Sequence, residues 1–187
     1  MPNEGDETLW TIGHSTRSIE EFVALLETHG IRLLIDVRTT PYSRHNPQFN
    51  SESLAAGLKA AGIAYRHLPE LGGRRKPTPD SRNHGWRNAS FRGYADYMQT
   101  DEFWRALNEL LAYGKQERTA IMCAEAVPWR CHRSLISDAL VSRGRTVRHI
   151  LSSAPANQHS LTSFARVDNG LIRYPKVSAT EPTLRLF

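Results

Sequence analysis

Thr119-Ala120-Ile121-Met122-Cys123-Ala124-Glu125-Ala126-Val127-Pro128-Trp129-Arg130-Cys131-His132-Arg133 is the stretch whose reading decides the fold. Its first five residues are mostly apolar without alternation, as in a strand covered on both faces. A loop with Pro128 follows. From Cys131 to Arg143, Leu135, Ile136, Ala139 and Leu140 recur at helical spacing, and Gly144 ends the run. A buried strand feeding an amphipathic helix is half of a parallel crossover unit.

The same alternation repeats outward. Leu9–Ile12 reads as a strand ending in Gly13-His14-Ser15-Thr16. A helix starts at Ser18, where Ser18 and Glu21 form a capping box; it carries Ile19, Phe22, Val23 and Leu26 and stops at Gly30. Leu33, Leu34, Ile35 and Val37 form an apolar strand around Asp36. Thr39–Asn50 is a loop, Ser51 caps a short helix through Leu54, Leu58 and Ala61 that Gly62 closes, and Ile63–Leu68 is a third strand. Residues 70–93 lack periodicity and read as one long loop. Tyr94–Tyr113 is helical with a break near Thr100 and a stop at Gly114, Thr146–Leu151 is a strand, and Leu171–Tyr174 is a weak one. The expectation is a single α/β domain over residues 1–187, with a mostly parallel, Rossmann-like sheet of about five strands and helices on both faces.

Composition agrees. Of 187 residues, 40% are apolar and 23% charged, and the mean hydropathy is −0.49, which excludes a membrane-embedded, collagen-like or mostly disordered chain. Two cysteines make no disulfide framework, the start MPNEGDETLW lacks a leader's apolar region, and no run reaches the ~20 residues of a membrane span. A cytoplasmic location is expected. The net charge of +5 is local: residues 66–92 hold Arg66, Arg74, Arg75, Lys76, Arg82, Arg87 and Arg92 against Glu70 and Asp80, and the rest of the chain is neutral. Arginine outnumbers lysine 20 to 4, which suits phosphate or carboxylate recognition but also follows from codon bias.

Ligands bind at the carboxyl ends of parallel strands. Those ends deliver Gly13-His14-Ser15-Thr16, Asp36-Val37-Arg38, Leu71-Gly72-Gly73-Arg74 and Cys123-Ala124-Glu125. Cys131-His132-Arg133 opens a helix, whose free N–H groups lower a thiol's pKa and bind anions. A cysteine-phosphatase cradle is not expected, since Cys-x5-Arg would put arginine where Trp129 stands. Cys123, Cys131, His132 and His14 have the chemistry of zinc or iron ligands. However, Cys-x7-Cys is an unusual spacing, and adjacent helical residues point about 100° apart, so no metal is expected. Asp36 is expected to pair with Arg38 two residues on, as structure or as substrate positioning. Trp86 and Phe91 between arginines suit base stacking, or a solvated loop.

Thr11-Ile12-Gly13-His14-Ser15, Asp36-Val37-Arg38 with Pro41 and Ser43, Leu71-Gly72-Gly73, Met122-Cys123-Ala124-Glu125 and Cys131-His132-Arg133 together resemble a family called domain of unknown function 488. The resemblance runs in order from the first strand to His149-Ile150. It implies an α/β fold in a bacterial or archaeal cytoplasm and no particular reaction or cofactor. The expected function is a small enzyme acting on an anionic, phosphate-bearing substrate. Cys123, Glu125, Cys131 and His132 are the catalytic candidates, and His14, Ser15, Asp36, Arg38, Ser43, Gly73, Arg74 and Arg133 the binding ones. Two alternatives stand beside it: a non-catalytic nucleic-acid-binding module using the Arg-rich loop, and a Cys/His metal or thiol-redox site. The basic loop is expected to rim the anion site.

Overall fold

Thr119–Cys123, β4, lies between β1 (Thr8–Gly13) and β2 (Leu33–Asp36) at the centre of the sheet. Beyond them lie β3 (Ala64–His67) and β5 (Thr146–Ile150), with the two-residue β6 (Asn157–Gln158) at the edge, giving the order β3-β2-β4-β1-β5-β6. The first five strands are parallel and β6 is antiparallel. The mostly parallel sheet is as expected, with a sixth, short strand added at its edge. A separate hairpin pairs β7 (Arg166–Asp168) with β8 (Leu171–Arg173), the weak strand of the tail. This computed structural model describes residues 8–176; residues 1–7 of the acidic start, and residues 177–187, lie outside the described residues.

Strand alternation sends β4 residues to two cores. Ala120 and Met122 pack with Phe22 and Leu26 of α1 (Ile19–Thr28) and Leu54 and Leu58 of α2 (Ser51–Ala60). Ile121 and Cys123 face α3 (Ala89–Tyr97), α4 (Asp101–Gln116) and α5 (Arg133–Ser142), through Tyr94, Phe103, Leu107, Leu135 and Ile136. Each buried Leu or Phe stabilises the fold by about 1.5–3 kcal/mol. Helices thus cover both faces, as the unalternating strands require.

The capping box is present, with Ser18 Oγ accepting from Glu21 N and the Glu21 carboxylate from Ser18 N. Gly30, Gly62 and Gly144 take φ of 67°, 69° and 76°, the left-handed backbone that ends helices. Thr100 does break the helical run, by capping α4. Three expectations are corrected. Ser51 is the first residue of α2, and Asn50 is its cap. Gly114 does not stop α4, which continues to Gln116; an added Cβ there would meet a Leu9 methyl at 3.0 Å, so glycine brings the helix close to β1. The segment 70–93 is not one loop, because a 3-10 turn spans Pro69–Leu71 and Asn88 caps α3 through Ser90 N and Phe91 N. The rest of that segment is fastened to α3: Asp96 accepts from Thr78 N, Ser81 Oγ and Asn83 Nδ2 at 2.7–2.9 Å. Among the described residues no helix is long and apolar enough to cross a membrane.

Candidate functional site

The carboxyl ends of β2, β4 and β1 lie side by side, and the parallel ladder continues past them. Val37 N donates to Met122 O at 3.0 Å, His14 N to Cys123 O at 2.9 Å, and Ser15 N to Ala124 O at 2.9 Å. Gly13 permits this closeness, since an added Cβ would overlap the Glu125 carbonyl and the Arg133 guanidinium. Ser15 takes φ 52°, a left-handed backbone uncommon outside glycine. Above these strand ends opens a cavity of about 570 Å³. It is lined by His14, Ser15, Arg38, Ser43, Gly73, Arg74, Cys123, Glu125, Cys131 and His132, ten of the twelve candidate residues.

Asp36 and Arg133 do not reach it. Asp36 is fully buried on the α1/α2 side, where its carboxylate accepts from Arg38 N, Nε and Nη2 and from the Tyr65 hydroxyl. Its part in the site is to hold Arg38, whose Nη2 also donates to Phe49 O at 2.7 Å. Burial opposes the Arg38 charge, but the hydrogen bonds it donates to the Asp36 carboxylate, with that carboxylate's charge, outweigh burial and raise the pKa. His14 stacks on Phe49 with ring centroids 4.3 Å apart. Burial lowers its pKa to about 4, partly offset by the hydrogen bond to the Ser15 carbonyl and reinforced by the nearby Arg38 charge. The neutral ring donates from Nδ1 to Ser15 O at 2.8 Å and accepts at Nε2 from Arg38 Nη1 at 3.4 Å.

Cys131 is extended (φ −137°, ψ 150°) and precedes α5, which starts at Arg133. The expectation that Cys131 and His132 diverge by a helical step therefore fails. Both turn to the cavity with Cys123, and Cys123 Sγ, Cys131 Sγ and His132 Nδ1 lie within 4.8 Å of one another. His132 Nδ1 is 3.5 Å from Cys131 Sγ and 4.0 Å from Cys123 Sγ, while Nε2–H donates to Val37 O at 3.2 Å. Gly73 packs against this ring, and a Cβ there would overlap Nδ1. Burial pushes the Cys131 thiol up, but the Cys123 S–H, His132 and Arg133 together bring it well below the usual thiol range. Cys123, donating its proton to Cys131 and buried beside that charge, is held well above it.

Arg133 lies on the opposite side of the sheet from Asp36, fully buried, so its expected clamp on a bound anion is corrected. Its Nη2 donates to the Glu125 carbonyl, its backbone N–H points at Cys131 Sγ 3.5 Å away, and Nη1 donates to Thr11 Oγ1 at 3.4 Å. From Thr11 a chain continues. Thr11 Oγ1 donates to His149 Nδ1 (2.8 Å), His149 Nε2 to His159 Nδ1 (2.9 Å), and His159 Nε2 to the Asp138 carboxylate (2.8 Å). That direction requires neutral rings at both histidines; burial first, with His159 and the Arg133 charge beside it, lowers the His149 pKa to about 4.

Of the seven basic residues between 66 and 92, Arg74 alone lines the cavity. Arg75 stacks on Tyr97 at 3.5 Å, Arg66 lies over Tyr113 at 4.9 Å, and Arg92 donates to Trp86 O. Trp86 is half-buried, stacked on Phe91 with Phe164 and Tyr174 also against it, and Phe91 reaches the cavity. Sequence reasoning missed Arg130, and also Tyr42, Asn46 and Ser90. The available signal for Arg130 was its place next to Cys131, in the short turn between the two cysteines.

Fold and site together define an α/β protein whose cysteine, histidine and arginine side chains meet at the carboxyl edge of a parallel sheet. The family model described as domain of unknown function DUF488 matches residues 18–140, about two thirds of the chain, and the chain belongs to that family. The matched span is narrower than the resemblance drawn above: Thr11–Ser15 and His149-Ile150 fall outside it. No curated protein and no solved structure matches the chain.

Proposed function

We propose that the cavity is the active site of a small enzyme acting on an anionic, phosphate-bearing substrate such as a nucleotide or a nucleic-acid end. One observation carries the reading: Arg38, Arg74 and Arg130 converge on the same cavity as Cys123, Cys131 and His132. Arg38 is a fixed cation, since Asp36 and Phe49 O hold its fork. Arg74 and Arg130 are exposed at the rim and free to close on an anion. Ser15 and Ser43 add hydroxyls. Glu125 exchanges protons with the bound molecule, and the Cys/His cluster is the reactive end. The nucleic-acid-module alternative has less support, because Arg66, Arg75 and Arg92 contact their own fold and Arg74 alone of the segment's basic residues lines the cavity.

Titration with inorganic phosphate and nucleoside monophosphates tests the reading. Arg74→Ala and Arg130→Ala should each weaken binding about tenfold, the size of one charge-assisted contact. Unchanged affinity in both overturns the anion assignment. A Cys131→Ser, Glu125→Gln double variant should lose turnover in a phosphoester screen; full retention removes those two residues from the reaction. A steep fall in nucleic-acid affinity with salt, lost on changing Arg75 and Arg87 instead, would favour the module.

A further inference from the structure

Two thiols and an imidazole in one buried corner need a reason. Cys123 is 8% exposed and Cys131 4%, yet both line the cavity, and neither is tied up in a disulfide. We propose that Cys123 Sγ, Cys131 Sγ and His132 Nδ1 bind one divalent ion of the zinc class, with its fourth position open to the cavity. This rests on the reading of the cavity as an active site and names the chemistry of its reactive end.

Four observations carry it. The first is spacing. A tetrahedral ion with Zn–S of about 2.3 Å and Zn–N of about 2.0–2.1 Å sets S···N at about 3.6 Å. The two S···N distances are 3.5 and 4.0 Å, and all three donor atoms lie within 4.8 Å, so small shifts close the set around an ion. The second is the tautomer. A carbonyl only accepts, so Val37 O fixes the proton on His132 Nε2 and leaves the Nδ1 lone pair facing the sulfurs. A backbone carbonyl behind a ligating imidazole is the usual way such a ring is held.

The third is the support of the sulfurs. Arg133 N–H points at Cys131 Sγ, and the fully buried Arg133 guanidinium has no carboxylate in direct contact among the described residues. The fourth is access. Three protein ligands with an open position are the pattern of reactive zinc sites. Here that position would face Glu125 and the guanidinium groups. Two sulfurs and no carboxylate in the set select a soft or borderline ion over magnesium or calcium.

The test uses the full chain, stripped with a chelator and titrated with cobalt(II), whose colour reports its ligands. One equivalent should give the sulfur-to-cobalt charge-transfer band and the strong visible bands of a four-coordinate ion, and zinc should displace both. Cys123→Ser and Cys131→Ser should each lose most of the charge-transfer band, and His132→Gln should weaken binding at least about tenfold. In the unaltered protein, zinc should protect both thiols from alkylation, a result that needs no variant to fold. Absence of the band at one equivalent, or its survival in both serine variants, overturns the site. Phosphate titration of the metal-free protein keeps the two readings apart. Affinity that depends on Arg74 and Arg130 without the ion preserves the anion site even if the metal site fails.

Discussion

Two carboxylates are fully buried on opposite flanks of the sheet, and their partners differ in kind. Asp36 holds a cation: Arg38 grips it through Nε and Nη2, meets His14 with Nη1 and lines the cavity. Asp138 holds the His159 ring, Thr162 N and the Tyr174 hydroxyl, and thereby joins α5 to the segment before β7 and the residue after β8. The first arrangement holds a charge at the cavity; the second fastens distant chain together. A buried acid therefore says little about function until its partner's spare donors are counted.

That contrast can be broken most sharply by Asp36→Asn. An amide nitrogen on the Tyr65 side would face Arg38 Nη2, donor against donor, and would leave the arginine charge unpaired. The expected loss is about 3–5 kcal/mol, read by urea unfolding. Acid exposes a feature the two flanks share. His14 and His149 have pKa values of about 4 in the folded chain, against 6.5 unfolded, so the unfolded state binds more protons between those values. Stability should be full above pH 6.5 and fall as pH drops towards 4, by roughly 2–3 kcal/mol per ring. His149→Asn should remove about half of that slope; an unchanged slope places the protonation elsewhere.

Asp138→Asn should be milder, about 1–2 kcal/mol, because the retained oxygen can face His159 and Thr162 while the amide donates to the Tyr174 hydroxyl. If it matches or exceeds Asp36→Asn, the distinction between the two acids is wrong. Smallest of all is Trp129→Ala. The ring is 63% exposed, and its removal should change unfolding free energy by less than about 0.5 kcal/mol.

The two acids also show what a sequence reveals. Asp36 interrupts an apolar strand and finds Arg38 two residues away, so alternation alone paired them. Asp138 sits on an amphipathic helix as an ordinary polar residue, and its partners His159 and Tyr174 are 21 and 36 residues distant. Nothing local marks it. The strands, the helices and the edge of the sheet where the site lies were legible because periodicity and strand order are local or general properties. The Cys131 backbone was not. A helix start is defined to within a residue or two by pattern, and that margin decides whether Cys131 and His132 diverge or meet. Arg133 was misread for a related reason: one step into the helix turns it from the cavity to the buried face.

Ser15 carries a consequence of its own. At φ 52° it occupies a conformation that glycine adopts freely and serine at about 1–2 kcal/mol. Ser15→Gly should therefore raise the melting temperature while stripping one hydroxyl from the cavity wall. A protein engineered for durability alone would accept that exchange. On the reading of the cavity as a binding site, the serine marks a place where staying folded and holding a ligand point in opposite directions.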